Sequence, residues 1–183
     1  ICAKRLQEEG LNVTLVCADV RFLPFPAKSF DAVVAADLFE HLRVPQDGMR
    51  ELNQVMHNGG KLLVTGANRY TLTAYPLVGL WGVGYLPQSV RRWYVEARKG
   101  IDMLRYATLH SPGSMKKVLE EVGFECLNFA PLSVPRAVAR SRAQRCLLSI
   151  YTFLRRCWMT KRVLLLLGPA FEVLVQKPTG DKG

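Results

Sequence analysis

The sequence predicts an α/β domain built on a parallel sheet. Two observations carry this expectation: short apolar runs that each end at an aspartate, too short for buried helices, and a strand, helix, strand succession with short connections. The 183 residues are 49% hydrophobic and 22% charged, with 14 Gly and 10 Pro, a composition that excludes disorder and collagen-like repetition. A chain of this length buries roughly 70% of its unfolded surface, so a core needs neither disulfides nor structural metal.

Residues 2–9 (CAKRLQEE), stopped by Gly10, have the form of the last turns of a helix. The chain therefore opens inside an element, an upstream segment is expected, and no secretory leader can be read after Ile1. Residues 13–17 (VTLVC), ending at Ala18-Asp19, and 31–36 (DAVVAA), ending at Asp37, are expected as buried parallel strands. Pro24 and Pro26 deny the link between them a long helix. Over residues 45–57, Met49, Leu52, Val55 and Met56 recur at three-to-four-residue spacing before Asn58-Gly59-Gly60, which predicts an amphipathic helix running to His57. A histidine in that last turn would favour the helix terminus as a cation. Residues 61–65 (KLLVT) then form a third strand.

Residues 70–90 carry no charge and are long enough for a membrane span. Pro76, Pro87, Gly79, Gly82 and Gly84 suit a lid or an interfacial segment better. Ser111 and Pro112 open a helix that runs through Glu121 and is closed by Gly123, while His110 stands in the turn before it. Residues 124–129 and 171–175 read as two further strands. The excursion of roughly forty residues between them exceeds an ordinary connection and calls for its own helices.

Charge is unevenly placed. Residues 1–68 hold seven Lys/Arg and eight Asp/Glu, and residues 69–183 hold 18 against seven, so the formal charge of +10 belongs to the second part. Residues 134–163 carry Arg136, Arg140, Arg142, Arg145, Arg155, Arg156, Lys161 and Arg162 with no acidic residue, beside apolar runs. This pattern fits either a solvated basic face on a packed helix or contact with an anionic membrane surface. Nucleic acid ranks third, since the stacking platform of interleaved aromatics is missing. Five scattered cysteines without a Cys-x-x-Cys pair argue against a disulfide framework and a zinc site, and a reducing cytosol is the simpler compartment. The three histidines form no i, i+4 pair, and no metal is expected.

The stretch ADVRFLPFPAKSFDAVVAADLFEHL, followed by MRELNQVMHNGGKLLVTGAN, resembles the middle of a Rossmann-like, class I S-adenosylmethionine-dependent methyltransferase of the small-molecule type 11 subgroup. The matching residues are Asp19, Leu23 to Phe25, Ser29 to Asp31, Val33 to Ala36, Arg50-Glu51, Gly59-Gly60 and Asn68. SPGSMKKVLEEVGFECLNF is similar to the family's helix and strand near the C-terminus. The two stretches cover roughly 70 residues in order, specific as an ensemble though no single piece is. The resemblance implies a three-layer α/β fold on a seven-stranded sheet of order 3-2-1-4-5-7-6, the seventh strand antiparallel, with the cofactor across the carboxyl ends. Residues 1–183 would form a single partial methyltransferase domain missing the first two strands, with residues 69–110 as a lid and residues 131–169 as a basic, apolar helical insertion before the last strand. The family's Gly-rich loop and ribose-holding acidic residue have no match here, so this polypeptide alone is expected to bind S-adenosylmethionine weakly or not at all.

On that resemblance, the Asp19 carboxylate accepts a hydrogen bond from the exocyclic adenine amine and the backbone of Val20 faces the ring edge. Asp37, with the backbone of Ala35 and Ala36, stands near the sulfonium. Both aspartates also fit plain turn capping. Gly59-Gly60 is assigned to backbone geometry. Where the acceptor needs a base, His41, four residues after Asp37, is the candidate, against a packing or capping role. Tyr75, Trp81 and Tyr85 line an apolar acceptor pocket if residues 70–90 fold over the site, and otherwise pack the lid. The partner is then an apolar small-molecule or lipid-like acceptor. The competing reading is a truncated, non-catalytic module that binds membrane or protein.

Overall fold

The computed structural model describes residues 2–101, 103–105, 107–134 and 141–180. Arg136 and Arg140 of the basic segment lie outside them. In chain order the elements are α1 (Cys2–Glu8), β1 (Phe30–Ala36), α2 (Pro45–Val55), β2 (Met56–Ala67), α3 (Gln88–Lys99), α4 (Pro112–Glu121), β3 (Glu125–Pro131), α5 (Arg142–Arg156), α6 (Trp158–Leu167) and β4 (Ala170–Gln176). Single 3-10 turns occur at Phe39–His41 and Val83–Tyr85.

The four strands form one sheet in the order β1-β2-β4-β3. β1 and β2 are parallel, with Val33 opposite Leu62 and Ala35 opposite Val64. β4 runs antiparallel to both of its neighbours. This reproduces the 4-5-7-6 side of the expected sheet, with the last strand reversed and inserted between the two before it.

Strand alternation sends Ala35, Leu62, Val64, Val173 and Val175 to one face, where they meet Met49 and Leu52 of α2 and Met115, Val118 and Leu119 of α4. Each of the Val, Leu and Met side chains, fully buried, contributes about 1.5–3 kcal/mol. The opposite face is more open, and Val34 there is 67% exposed. α4 begins as expected: Ser111 accepts from the Ser114 N–H, and the Ser114 hydroxyl accepts from the Ser111 N–H in return.

Two expectations are corrected. Residues 13–17 form no strand and are exposed throughout. Their apolar, β-branched character suits a sheet, but among the described residues β1 pairs only with β2, and nothing offers residues 13–17 a ladder. The helix expected to reach His57 stops at Val55, and Met56 already has extended backbone. Lys177, remote in sequence, takes over this helix end: its Nζ donates to the carbonyls of Asn53 at 2.7 Å and Met56 at 2.9 Å. His57 therefore sits in β2 rather than at a helix terminus. Gly59 has φ +78°, which supports the assignment of Gly59-Gly60 to backbone geometry.

Residues 69–110 fold on themselves around a second core of Tyr75, Val78, Val83, Val95, Leu104 and Leu109, reaching Ala67 at the end of β2. Tyr75 bridges to Leu80, and the chain turns sharply between them. Gly84 passes so close to Arg69 that a Cβ would lie 1.6 Å from the Arg69 carbonyl oxygen. Only glycine permits that approach.

Candidate functional site

β1 and β2 are parallel, so their carboxyl ends, at Ala36 and Ala67, open on the same edge of the sheet. At the first of these ends Asp37 has φ +50°, a left-handed conformation that a short polar residue tolerates better than most. Its N–H donates to the Thr65 carbonyl at 3.2 Å, and the Thr65 hydroxyl stands 3.4 Å from its Oδ1. Asp37 is exposed. Ala35 behind it is 5% exposed and Ala36 is open.

Asp19 reaches the same region from the loop before β1. Val20 packs on Gly48 of α2, where an added Cβ would lie 3.1 Å from a Val20 methyl, and the Leu23 N–H donates to Glu51 at 3.1 Å. The loop is thus fixed to α2 from two points. The Arg21 guanidinium grips the Asp19 carboxylate through Nε at 3.0 Å and Nη2 at 2.6 Å, and the Arg21 N–H adds a 3.0 Å bond. These donors hold its pKa down at about 2, so it is an anion at any physiological pH. Asp19 and His41 line one cavity of about 440 Å³ together with Leu42, Val44 and Asp47. Since His41 lies in the turn just beyond Asp37, the two aspartates stand at the same end of the sheet.

His41 is exposed, with Nε2 3.8 Å from Glu40 Oε1. Glu40 was not singled out by the sequence, and it is only 8% exposed. Burial, and next the charge of Asp37, raise its pKa. One of its carboxylate oxygens has no partner among the described residues. Its neighbour His110 is also buried, edge-on to Phe39 at 6.1 Å, and burial lowers its pKa. The Thr108 N–H donates to the Glu40 carbonyl at 2.8 Å, and the Arg69 N–H to the His110 carbonyl at 2.9 Å. The Arg69 bond closes the base of residues 69–110, and the Thr108 bond ties that base to the turn after β1. The signal for Glu40 was a lone acid inside the apolar run Leu38-Phe39-Glu40.

Of the three aromatics expected to line an acceptor pocket, the structure brings two together. Trp81 and Tyr85 border an apolar cavity of about 580 Å³ with Leu72, Leu86, Val90 and Trp93. The Trp81 indole N–H donates to the Leu72 carbonyl at 2.9 Å and the Tyr85 hydroxyl to the Tyr70 carbonyl at 2.6 Å, which fixes both rings by their polar ends. Tyr75 is not among the lining residues. It is 1% exposed, turned inward by its bridge to Leu80, and its hydroxyl has no partner among the described residues. Trp93, which the sequence analysis passed over, comes from α3, where the amphipathic spacing after Pro87 was the available signal.

Asn68, part of the quoted motif, is a structural clamp. Fully buried, it donates from Nδ2 to the carbonyls of Leu165 (3.2 Å), Leu166 (2.9 Å) and Gly168 (3.0 Å), while its Oδ1 accepts from the Tyr70 N–H at 3.1 Å. It therefore satisfies the open carbonyl end of α6 and ties it to the first residues after β2. No group of three or more metal-ligating side chains occurs among the described residues.

Residues 1–64 match a family described as a methyltransferase domain. The chain is 26% identical over 130 residues to the ubiquinone/menaquinone biosynthesis C-methyltransferase of Laribacter hongkongensis, a match covering 70% of this chain and 53% of that protein. It thus spans about half the length of that relative. Among solved structures, an S-adenosylmethionine-dependent methyltransferase from Mesorhizobium loti superposes with a TM-score of 0.57 at 16% identity, covering 95% of this chain and 74% of the other. The (4+2)-cyclase SpnF does so with a TM-score of 0.56 at 18% identity, covering 97% and 61%. The fold is that of the Rossmann-like methyltransferases. With the family match it bears out the resemblance to class I S-adenosylmethionine-dependent methyltransferases and indicates S-adenosylmethionine as the cofactor.

Proposed function

We propose that the chain is part of a methyltransferase that moves a methyl group from S-adenosylmethionine to an apolar small-molecule or lipid-like acceptor. The observation that carries this reading is the cavity of about 580 Å³ framed by Trp81, Tyr85 and Trp93, in residues that leave the same strand ends at which Asp37 stands. The cyclase among the structural neighbours is a reminder that this fold hosts more than one chemistry, so the cavity and the family match weigh more than the fold. The Laribacter relative, a methyltransferase of ubiquinone and menaquinone biosynthesis, supports the same acceptor class.

The residues present fit the adenine and sulfonium sides of the cofactor. Asp19, held anionic by Arg21, keeps lone pairs for an exocyclic amine, and the Val20 backbone beside it is fixed on α2. The backbone of Ala35 and Ala36 is proposed to stand beside the sulfonium, and the Asp37 carboxylate offers it a counter-charge. When bound, S-adenosylmethionine supplies a methyl group on a positively charged sulfur. The protein's task is then to hold the acceptor atom in line with that methyl and keep water away, which the lid formed by residues 69–110 performs. His41, in the turn after Asp37, is the proposed base for a phenolic or enolic acceptor; it lines the Asp19 cavity and not the apolar one, so this role requires the acceptor's reacting end to extend out of the apolar cavity.

No residues here correspond to the Gly-rich loop or the ribose-binding acid, so residues 1–183 by themselves bind the cofactor weakly or not at all. The basic segment at residues 134–163 meets an anionic membrane surface, which makes the protein cytoplasmic and peripheral. No helix among the described residues is long and apolar enough to cross a membrane. The test is a methyl-transfer assay on the protein at its natural length, with labelled donor and a prenylated hydroquinone as acceptor. Label should pass into the organic phase with the native residue and fail to do so with Asp37→Ala. Transfer confined to a water-soluble acceptor would contradict the reading.

A further inference from the structure

α5 and α6 leave an apolar stripe each facing outward. The α5 side chains that bond to the rest of the protein are polar: the Tyr151 hydroxyl donates to the Leu132 carbonyl at 2.8 Å, Arg155 Nε donates to the Pro131 carbonyl at 2.8 Å, and the Arg155 guanidinium pairs with Glu172 of β4, while Leu148 and Leu154 are half-buried. The apolar stripe at helical spacing, Leu147, Ile150 and Phe153, is 66%, 51% and 72% exposed. α6 packs Leu165 against the main core but leaves Trp158, Met159, Val163 and Leu166 outward, all between 56% and 70% exposed. Neither helix has a single buried residue. An ordinary surface helix does the reverse.

The charges around these stripes state what covers them. Arg142, Arg145, Arg156 and Arg162 are exposed, and Arg162 lies over the Trp158 ring at 4.3 Å. Across residues 134–163 there are eight Lys/Arg and no acid. A second copy laid face to face would set like charges against each other. An anionic lipid leaflet instead accepts the stripes among its acyl chains and the guanidinium groups among its phosphates.

We infer that the α5–α6 hairpin is a leaflet-inserting wedge. Leu147, Ile150, Phe153, Trp158, Met159, Val163 and Leu166 enter the acyl region, the arginines hold anionic headgroups, and Arg155–Glu172 with Tyr151 transmits the grip to the sheet edge. This gives residues and an orientation to the membrane partner proposed above, and rests on that reading for the partner alone, not for methyl transfer. The consequence is positional: Asn68 binds the carbonyl end of α6 to the first residues of the lid, so a hairpin held in a leaflet keeps the base of the apolar cavity near the membrane.

The test is vesicle cosedimentation of the full chain without cofactor or acceptor, comparing pure phosphatidylcholine with equal parts of phosphatidylcholine and phosphatidylserine. Binding should require phosphatidylserine and weaken with added salt. The combined change Leu147→Ser, Ile150→Ser, Phe153→Ser should weaken it at least tenfold, and Arg142→Gln, Arg145→Gln and Arg156→Gln about fivefold per charge removed. As a second measurement, acyl-brominated lipids should quench tryptophan fluorescence, and Trp158→Phe should remove much of that quenching. Equal partitioning onto both vesicle types at physiological salt, variants that bind like the native chain, or quenching indifferent to Trp158→Phe would overturn the inference. So would a chain that stays off vesicles and forms a dimer abolished by the three serines. A chain that binds vesicles but transfers no methyl leaves the wedge standing and removes the catalytic reading instead.

Discussion

Residues 69–110 and the α5–α6 hairpin are both long apolar connections, and they handle their apolar side chains in opposite ways. The first folds back through the Tyr75 to Leu80 bridge and the close Arg69 to Gly84 approach, burying Tyr75, Val78, Val83 and Val95 in a core of its own. The second has no fully buried residue, and attaches to the body through Tyr151, Arg155, the half-buried Leu165 and the Asn68 bonds to the end of α6. The difference lies in how charge is spaced. Residues 70–90 have no charged side chain and are free to close on themselves. Residues 134–163 carry eight basic ones, which cannot be desolvated together and so keep the helices at the surface. Equal greasiness thus produces a core in one place and a contact surface in the other.

The contrast can be broken most sharply with one aromatic from each region. Tyr75→Ala removes a side chain that is 1% exposed and should cost about 3–5 kcal/mol in denaturant unfolding, whereas Tyr75→Phe, which discards an unpartnered hydroxyl, should cost nothing. The link between the two regions comes next. Asn68→Ala leaves the carbonyls of Leu166 and Gly168 without their donor and should cost about 2–3 kcal/mol, with hydrogen exchange rising both in α6 and in the residues just after β2.

A smaller effect follows from His110, whose folded pKa lies below its ordinary 6.5 because it is buried. The unfolded state then binds the proton first, so stability is intact above 6.5 and declines as pH falls through the window beneath it. Unfolding curves across that window should show this slope, and His110→Phe should flatten it. Glu40 acts with the opposite sign: its raised pKa withdraws stability as pH rises above its ordinary 4.5, so the two slopes oppose each other and the His110→Phe comparison isolates the histidine's share. The smallest effect is expected at Phe153. Phe153→Ala should leave stability within about 0.5 kcal/mol, since the ring is exposed, and any larger loss would mean that the hairpin packs more tightly than its surface suggests.

Local patterns carried most of the fold. The run 31–36, the helix from Pro45, the Ser111-Pro112 start and the final strand were legible because period and capping chemistry are local properties. Residues 13–17 misled because a β-branched run records suitability for a sheet, while pairing depends on a neighbour elsewhere in the chain. The end of α2 was misplaced for a related reason: Lys177, more than a hundred residues away, holds its carbonyls. Of the proposed site, Asp19 and Asp37 were named through the resemblance, His41 through its place four residues after Asp37, and Trp81 and Tyr85 through an uncharged segment. Glu40, Asn68 and Trp93 gained their roles from tertiary contacts that spacing does not encode, and Tyr75 went to the core because one backbone bridge turned it inward.

The central claim is that the carboxyl edge of β1 and β2, between Asp19 and Asp37, is the cofactor side of the molecule. Chemical-shift mapping of the chain with millimolar S-adenosylmethionine addresses it directly. Weak, unsaturated shifts confined to Asp19, Val20 and Ala35 to Asp37, absent from α5 and α6 and abolished by Asp37→Ala, are the expected result. Shifts centred on the Trp81 and Trp93 cavity, or tight binding that ignores Asp37→Ala, would contradict it.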